Sequence, residues 1–299
     1  MANGTASGKF TARVPRVLRQ HISIARCAPL LFALVAAVEL PGCGDSSLKP
    51  AASPAATRAA TEAANLGIQR ERSISIGSVP MVLEFIPSGE FSMGTAASKR
   101  GEDEAPHRVS FEHGFYLSKT EVTQAQYAAL IDTNPSSFMG ADMPVENVTW
   151  DNADEYCKKA SALLHETVRL PTEAEWEYAC RAGTTTEYWT GDDEASLAKA
   201  AWYTANCQER PHAAGLLAAN AWGLCDMSGN VWEYCVDGRV VTAPDEKSPG
   251  KMKSTDCRMI RGGSWMDQSL DQRAASRTIV PRTFMNPNVG FRVVVELKK

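Results

Sequence analysis

Four short blocks in the second half of the chain constrain its fold more than any other feature. They are RLPTEAEWEYACRAG (Arg169–Gly183), GLCDMSGNVWEYCVD (Gly223–Asp237), IRGGSW (Ile260–Trp265) and NPNVGFRV (Asn286–Val293). The first predicts a helix that opens on a capping box, Thr172 with Glu175, and closes on Gly183. Its buried stripe is Trp176, Ala179 and Cys180. The third block puts two glycines where backbone must bend or pack closely. The fourth puts Gly290 in a strand, another point of close approach. These are features of a scaffold, and they carry no chemistry by themselves. Beside them stands a chemical gap: from Arg258 to the C-terminus there is no cysteine.

Upstream, Met81–Met93 alternates apolar and polar residues across a Pro-Ser-Gly turn and reads as two short strands. Arg108–Leu117 alternates similarly through Val109, Phe111 and Tyr116. Thr123 and Gln126 form a second capping box, opening a helix to about Asp132. A further helix is expected over about Asn152–His165, where Ala153, Tyr156, Cys157, Ala160 and Leu164 share one face at helical period. The chain closes on an alternating strand, Val289–Leu297. Three main helices among short, mostly antiparallel strands and many loops predict a loop-rich α+β domain.

The N-terminus reads as a targeting segment. Lys9, Arg13, Arg16, Arg19 and Arg26 precede an apolar run, Ala28–Val38, which is too short for a bilayer span of roughly 20 residues. The run closes on Leu40-Pro41-Gly42-Cys43, which resembles a lipoprotein cleavage site with Cys43 as the lipidated residue. Pro41 and Glu39 depart from the usual pattern. The expected division is a signal peptide over 1–43, a flexible Ala/Ser/Pro/Thr linker over 44–74 and one domain over 75–299. An acyl group on Cys43 would tether an exported protein to a membrane surface, in the periplasm or on the cell surface.

The net charge is −4. The basic residues gather at the N-terminus, so the body is acidic. That balance gives no footprint for nucleic acid and permits cation binding. The cysteines after Cys43 are Cys157, Cys180, Cys207, Cys225, Cys235 and Cys257, an even set that in an oxidising compartment predicts some disulfide pairing. Cys235 and Cys257 flank one excursion and are the candidate pair. No histidine makes a helix-face pair with a carboxylate, which excludes a zinc-protease site.

With FSMG (Phe91–Gly94), Glu104-x-Pro106-His107-x-Val109, EVTQAQYA (Glu121–Ala128) and PVENVTWDNADEYC (Pro144–Cys157), the four blocks stand in the order found in one family. Over roughly Pro80–Glu296 the chain resembles the sulfatase-modifying-factor, or formylglycine-generating-enzyme, family. The resemblance implies a variant of the C-type lectin fold. It also implies that the DMSGNVWE loop binds calcium, with carboxylates from Asp226 and Glu233 and backbone carbonyls from Gly229 and Val231; hard oxygen donors of this kind suit that ion. A second family calcium site is expected to be lost, since Asn206 fits its first ligand but Gln208–Gly215 lacks the acidic residue downstream.

Catalytic members of the family oxidise a sulfatase cysteine to formylglycine with copper held by two cysteines shortly after the RGGS block. Here that stretch reads WMDQSLDQRAASR, with Asp267, Ser269 and Gln272 where the cysteines belong. Ser264, beside the metal in active members, is retained. Hydroxyls and carboxylates are hard ligands and do not replace thiolates for Cu(I), so no copper is expected. The family cysteines that would bridge to Cys157 and Cys180 correspond to Val293 and Ala274, so those bridges cannot form.

The resemblance therefore points to an exported, non-catalytic binding or accessory module for a protein or glycan ligand that the sequence does not identify. Its variable surface would be Thr184–Lys199, Gln208–Ala219 and Gly238–Thr255, with Tyr188, Trp189 and Trp202 as candidate contact aromatics. Two alternatives stand beside it: an oxidoreductase of altered metal chemistry near Ser264, Asp267 and Asp271, and a chaperone-like sulfatase-binding paralogue.

Overall fold

The computed structural model describes residues 53–96, 104–244 and 252–298. Three capping boxes set the main helices. Thr123 accepts from the Gln126 amide while the Gln126 side chain accepts from the Thr123 amide, opening α2 (Gln124–Ile131). Thr149 with Asn152 opens α3 (Trp150–Leu164), and Thr172 with Glu175 opens α4 (Glu173–Arg181). Each cap satisfies two otherwise orphaned backbone amides and contributes about 1 kcal/mol. Helix α3 buries Ala153, Tyr156, Cys157 and Ala160, the stripe read from the sequence. In α4, Ala182 rather than Gly183 is the left-handed C-cap, and Gly183 continues at positive φ.

The helices pack on three sheets. A five-stranded antiparallel sheet runs in the order β1 (Glu71–Ile76), β2 (Val79–Ile86), β5 (Phe115–Ser118), β11 (Val294–Val295), β6 (Val168–Arg169). A second sheet runs β10 (Val289–Gly290), β7 (Trp232–Pro244), β8 (Met252–Arg261), β9 (Arg277–Pro281), with β10 parallel to β7 and the other pairs antiparallel. The hairpin β3 (Gly89–Met93) with β4 (His107–Phe111) stands apart. A short helix, α5 (Glu194–Leu197), and a 3-10 turn, Ser269–Gln272, complete the regular structure. One core gathers Phe85, Tyr127, Tyr156, Trp232 and Phe291 between α2, α3 and the sheets; a second gathers Trp176, Tyr178, Trp222, Leu224 and Met227 around α4.

Three readings of the sequence are corrected. The expected linker over 44–74 is ordered structure from Ser53 onward. Ser53 caps α1 (Pro54–Asn65), which buries Ala59 and Ala63, and the Trp222 indole donates to the Ala55 carbonyl at 3.1 Å. Ala59 packs in the second core and Ala63 in the first, and their small side chains let the helix lie close to both. The five residues that follow lead straight into β1, whose Ile74 and Ile76 are buried. The expected signal peptide and Cys43 lie outside the described residues.

The closing strand is also broken, into β10 and β11. Between them Arg292 turns fully inward, which a continuous strand with alternating faces would not allow beside buried Phe291 and Val293. Finally, the six described cysteines are all free and buried. The expected Cys235–Cys257 bridge does not form, because register places Arg239 opposite Cys257 and a bulge between Tyr234 and Gly238 carries Cys235 away from it. Cys157 lies in the core that holds Val293, and Cys180 in the one that holds Ala274. The positions where bridges are lost are thus filled by apolar contacts.

Candidate functional site

The DMSGNVWE loop makes a sharp bend. Asp226, Gly229 and Asn230 all have positive φ. A Cβ at Gly229 would land on the Trp202 carbonyl oxygen, so only glycine fits there. The Asn230 amide donates to that same carbonyl at 2.8 Å, and the Asn230 carbonyl accepts from the Trp265 amide at 2.9 Å. The bend thereby joins the acidic loop to the RGGSW block.

Of the four expected calcium ligands, Glu233 is differently engaged. Its two oxygens accept from Arg292 at 2.6 and 2.7 Å, and one also accepts from the Trp176 indole at 2.7 Å. Glu233 and Arg292 are both fully buried. Arg292 further donates to the Ser118, Lys119 and Cys225 carbonyls. This guanidinium ties β5, the acidic loop and the C-terminal segment into one unit.

The carboxylate that joins Asp226 instead is Glu121, two residues before the α2 N-cap Thr123. Asp226 Oδ2 accepts from the Gly215 amide at 2.6 Å, and Glu121 Oε1 accepts from Asn230 at 3.0 Å. Asp226 Oδ1 and Glu121 Oε2 are buried with no hydrogen-bond partner. Burial pushes both carboxyls above the usual carboxylate range, and the charges of neighbouring carboxylates add to this. Two buried carboxyls, each with an unsatisfied oxygen, require a shared proton or a cation between them. The donor set is all oxygen, which fits a hard divalent cation.

Thirty-odd residues downstream, the retained serine is fully committed. The Ser264 hydroxyl donates to Asp267 Oδ2 and accepts from the Asn288 side-chain amide at 2.9 Å and the Met266 amide at 3.2 Å. The Trp232 indole donates to the same Asp267 oxygen at 2.8 Å. Asp271 lies buried in the 3-10 turn and Gln272 donates to the Ser264 carbonyl. Among the described residues, no group of three His, Cys, Asp or Glu side chains is placed to hold a metal ion.

Asn206 is engaged locally, accepting from the Tyr203 amide and donating to the Ala201 carbonyl. Of the candidate contact aromatics, Tyr188 is core, packed with Leu197, Ala201 and Tyr203. Trp202 stacks on His212 with ring centroids 3.8 Å apart, and Trp189 packs half-buried against the second core. Sequence reasoning missed Glu121, Arg292, Trp232 and Asn288. Each sits in a block that it noted, but none lies near its partner in the chain.

Residues 78–297 match the family described as the sulfatase-modifying factor enzyme 1-like domain. A protein named chaperone protein LppX, from Paenibacillus barcinonensis, is 29% identical over 230 residues, 60% of this chain and 79% of that one. The formylglycine-generating enzyme of Mycobacterium tuberculosis is 30% identical over 188 residues, 52% of this chain and 58% of the enzyme. The chain spans only 36% of a third relative, the serine/threonine-protein kinase pkn1 of Chlamydia pneumoniae, at 29% identity over 69% of its own length. Among solved structures, Treponema denticola variable protein 1 superposes with a TM-score of 0.68 at 26% identity, over 77% of this chain and all of that one. PvdO from Pseudomonas aeruginosa does so with 0.65 at 25% identity, over 77% and 99%.

Proposed function

The chain belongs to the sulfatase-modifying factor family and has its α+β, C-type-lectin-like fold, and we propose that it serves there as a binding or accessory module, not as an oxidase. The observation that carries this reading is the state of Ser264. Where the resemblance places a copper-binding thiol pair, the chain has no cysteine. The serine hydroxyl is held instead in a closed hydrogen-bond set with Asp267, Met266 and Asn288. Neither hydroxyl nor carboxylate replaces a thiolate for Cu(I). The test is incubation of purified protein with Cu(I), oxygen and a peptide bearing a sulfatase-type cysteine. The expected result is no aldehyde above the protein-free control. Stoichiometric copper binding with peptide-dependent oxygen uptake would overturn the reading.

The same loop architecture is proposed to hold calcium between Asp226 and Glu121, with the Gly229 and Val231 carbonyls completing the oxygen set and Glu233 acting through Arg292. The two unsatisfied carboxylate oxygens support this assignment. The protein is further proposed to be exported and lipid-anchored at Cys43, on the strength of the basic N-terminus and the apolar run Ala28–Val38. Incorporation of labelled palmitate into wild type but not Cys43→Ser checks it. A chaperone-like form of the binding role is favoured by the relative that carries a chaperone name and is covered over most of its length. Failure of the immobilised protein to retain an unfolded sulfatase would remove that form.

A further inference from the structure

We propose that the Asp267 carboxylate, held by Ser264 and Trp232, receives a lysine side chain of a partner polypeptide; the inference rests on the binding-module reading and names what that site would bind. Asp267 is half-buried, and one of its oxygens, Oδ2, takes both the Ser264 hydroxyl and the Trp232 indole. Its backbone is held as well, since the Thr204 amide and hydroxyl both donate to the Asp267 carbonyl at 3.1 and 3.0 Å. The carboxylate is thus fixed in place before any ligand arrives. Among the described residues it has no cationic partner, and Oδ1 accepts no hydrogen bond. A nearby carboxylate adds to the negative field: Glu194 accepts from the Ser269 hydroxyl two residues beyond Asp267.

Exposed methionines lie on the segments that meet near this carboxylate. Met266, next to Asp267, is 50% exposed, and Met285 is 58% exposed on the segment whose Asn288 reaches Ser264. Trp265 donates to the Pro287 carbonyl at 3.2 Å and meets Phe138 edge-on, with Met139 beyond it 70% exposed. Exposed methionines at this density mark adaptable contact surface, because the thioether side chain repacks around different partners. A fixed anion beside an exposed methionine suits a cation on an apolar stem, and long basic side chains lay their methylenes on such surface while the charge stays at the tip. One free oxygen selects lysine over arginine. The guanidinium fork needs two oxygens for its bidentate pairing, whereas an ammonium is a point charge that one oxygen satisfies.

The probes are fluorescein-labelled Gly-Leu-Lys-Leu-Gly peptides carrying lysine, arginine, acetyl-lysine or norleucine at the centre, read by anisotropy against the full mature protein. The lysine peptide is expected to bind, and acetyl-lysine and norleucine to weaken binding by about tenfold or more, the scale of losing a charged hydrogen bond. Asp267→Asn keeps both acceptor contacts on its remaining oxygen and should lose the same factor, with its thermal unfolding unchanged. Met266→Ala should weaken lysine and norleucine peptides alike. Equal binding of lysine and acetyl-lysine peptides, indifference to Asp267→Asn, or no binding of the lysine peptide at millimolar protein would each overturn the proposal. Peptide binding that ignores Asp267 would leave the binding-module reading standing, whereas peptide-dependent oxygen uptake would remove both.

Discussion

Asp226→Asn should change sign with calcium. Without metal, Asp226 and Glu121 are two buried carboxyls, each with one oxygen lacking a partner. An asparagine keeps the acceptor for the Gly215 amide, now 2.6 Å from Asp226 Oδ2, and offers an amide to the orphaned Glu121 oxygen. Leaving a buried polar group unsatisfied costs about 1–3 kcal/mol, so the variant should be more stable than wild type by about that amount in chelator. The gain should grow with pH. Burial raises both carboxyls, so the folded wild type holds a proton that the unfolded chain releases. That contribution is full below about pH 4 and is lost as pH rises through the raised folded values. On the proposed calcium site, excess calcium should reverse the order. At a hundred times its dissociation constant a ligand stabilises by about 2.7 kcal/mol, and the asparagine variant should gain little of it. Urea unfolding at pH 8, with EDTA and with calcium, measures both arms; at a slope of roughly 3 kcal/mol per molar, the chelator arm moves the midpoint by roughly 0.3–1 M. A variant less stable than wild type in EDTA refutes the carboxyl-pair argument. A wild type that gains nothing from calcium refutes the cation.

Three further outcomes are expected. Glu84 is pushed up to about 7 by burial, against the pull of Lys119 and Arg70; its stabilising proton is fully held below about pH 4.5 and lost as pH rises through 7, so Glu84→Gln should exceed wild type by up to about 3 kcal/mol at pH 8 and much less at pH 5, and parallel pH profiles of the two proteins would contradict this. Arg273 and Glu104 form a buried bidentate pair at 2.8 and 3.0 Å; Arg273→Met should cost about 3–5 kcal/mol by urea unfolding and Glu104→Gln/Arg273→Met considerably less, and equal losses would show that the stranded charge is not the cause. The six buried thiols should resist Ellman's reagent in the folded state and react on unfolding, burial holding Cys157, Cys180, Cys225 and Cys235 above the usual thiol range; rapid native labelling of Cys180 would contradict the packing.

What the sequence made legible was local. The capping boxes at Thr123 and Thr172 work because a hydroxyl and an amide or carboxyl three residues apart must meet at a helix start. The helical stripe from Ala153 to Ala160 follows from period alone. The same locality explains the misreading of α1. Alanine-rich, proline-opened sequence fits a helix and a tether equally well by composition, and Trp222, which decides between them, lies 167 residues away. The cysteines were misjudged for a related reason: spacing along the chain says nothing of register, and a bulge of a few residues separates Cys235 from Cys257.

The candidate site was half legible, and the missing half changes its chemistry. Asp226 and Gly229 announce a bend with a carboxylate, but the charge state of that bend is set by Glu121, 105 residues upstream in number yet joined to it through Asn230, and by Arg292, which removes Glu233 from the set of open ligands. A cation there would have two free carboxylate oxygens to bind, not three. The cysteine gap carries the same lesson. Read as composition, it is a loss. In the structure Asp267 occupies that stretch, its carboxylate gripped by Trp232 and Ser264. Trp232 and Ser264 both donate to one oxygen of that carboxylate and leave the other without a hydrogen bond among the described residues. On the proposed reading, a carboxylate held at one oxygen and open at the other, beside the exposed Met266, would suit a cationic partner.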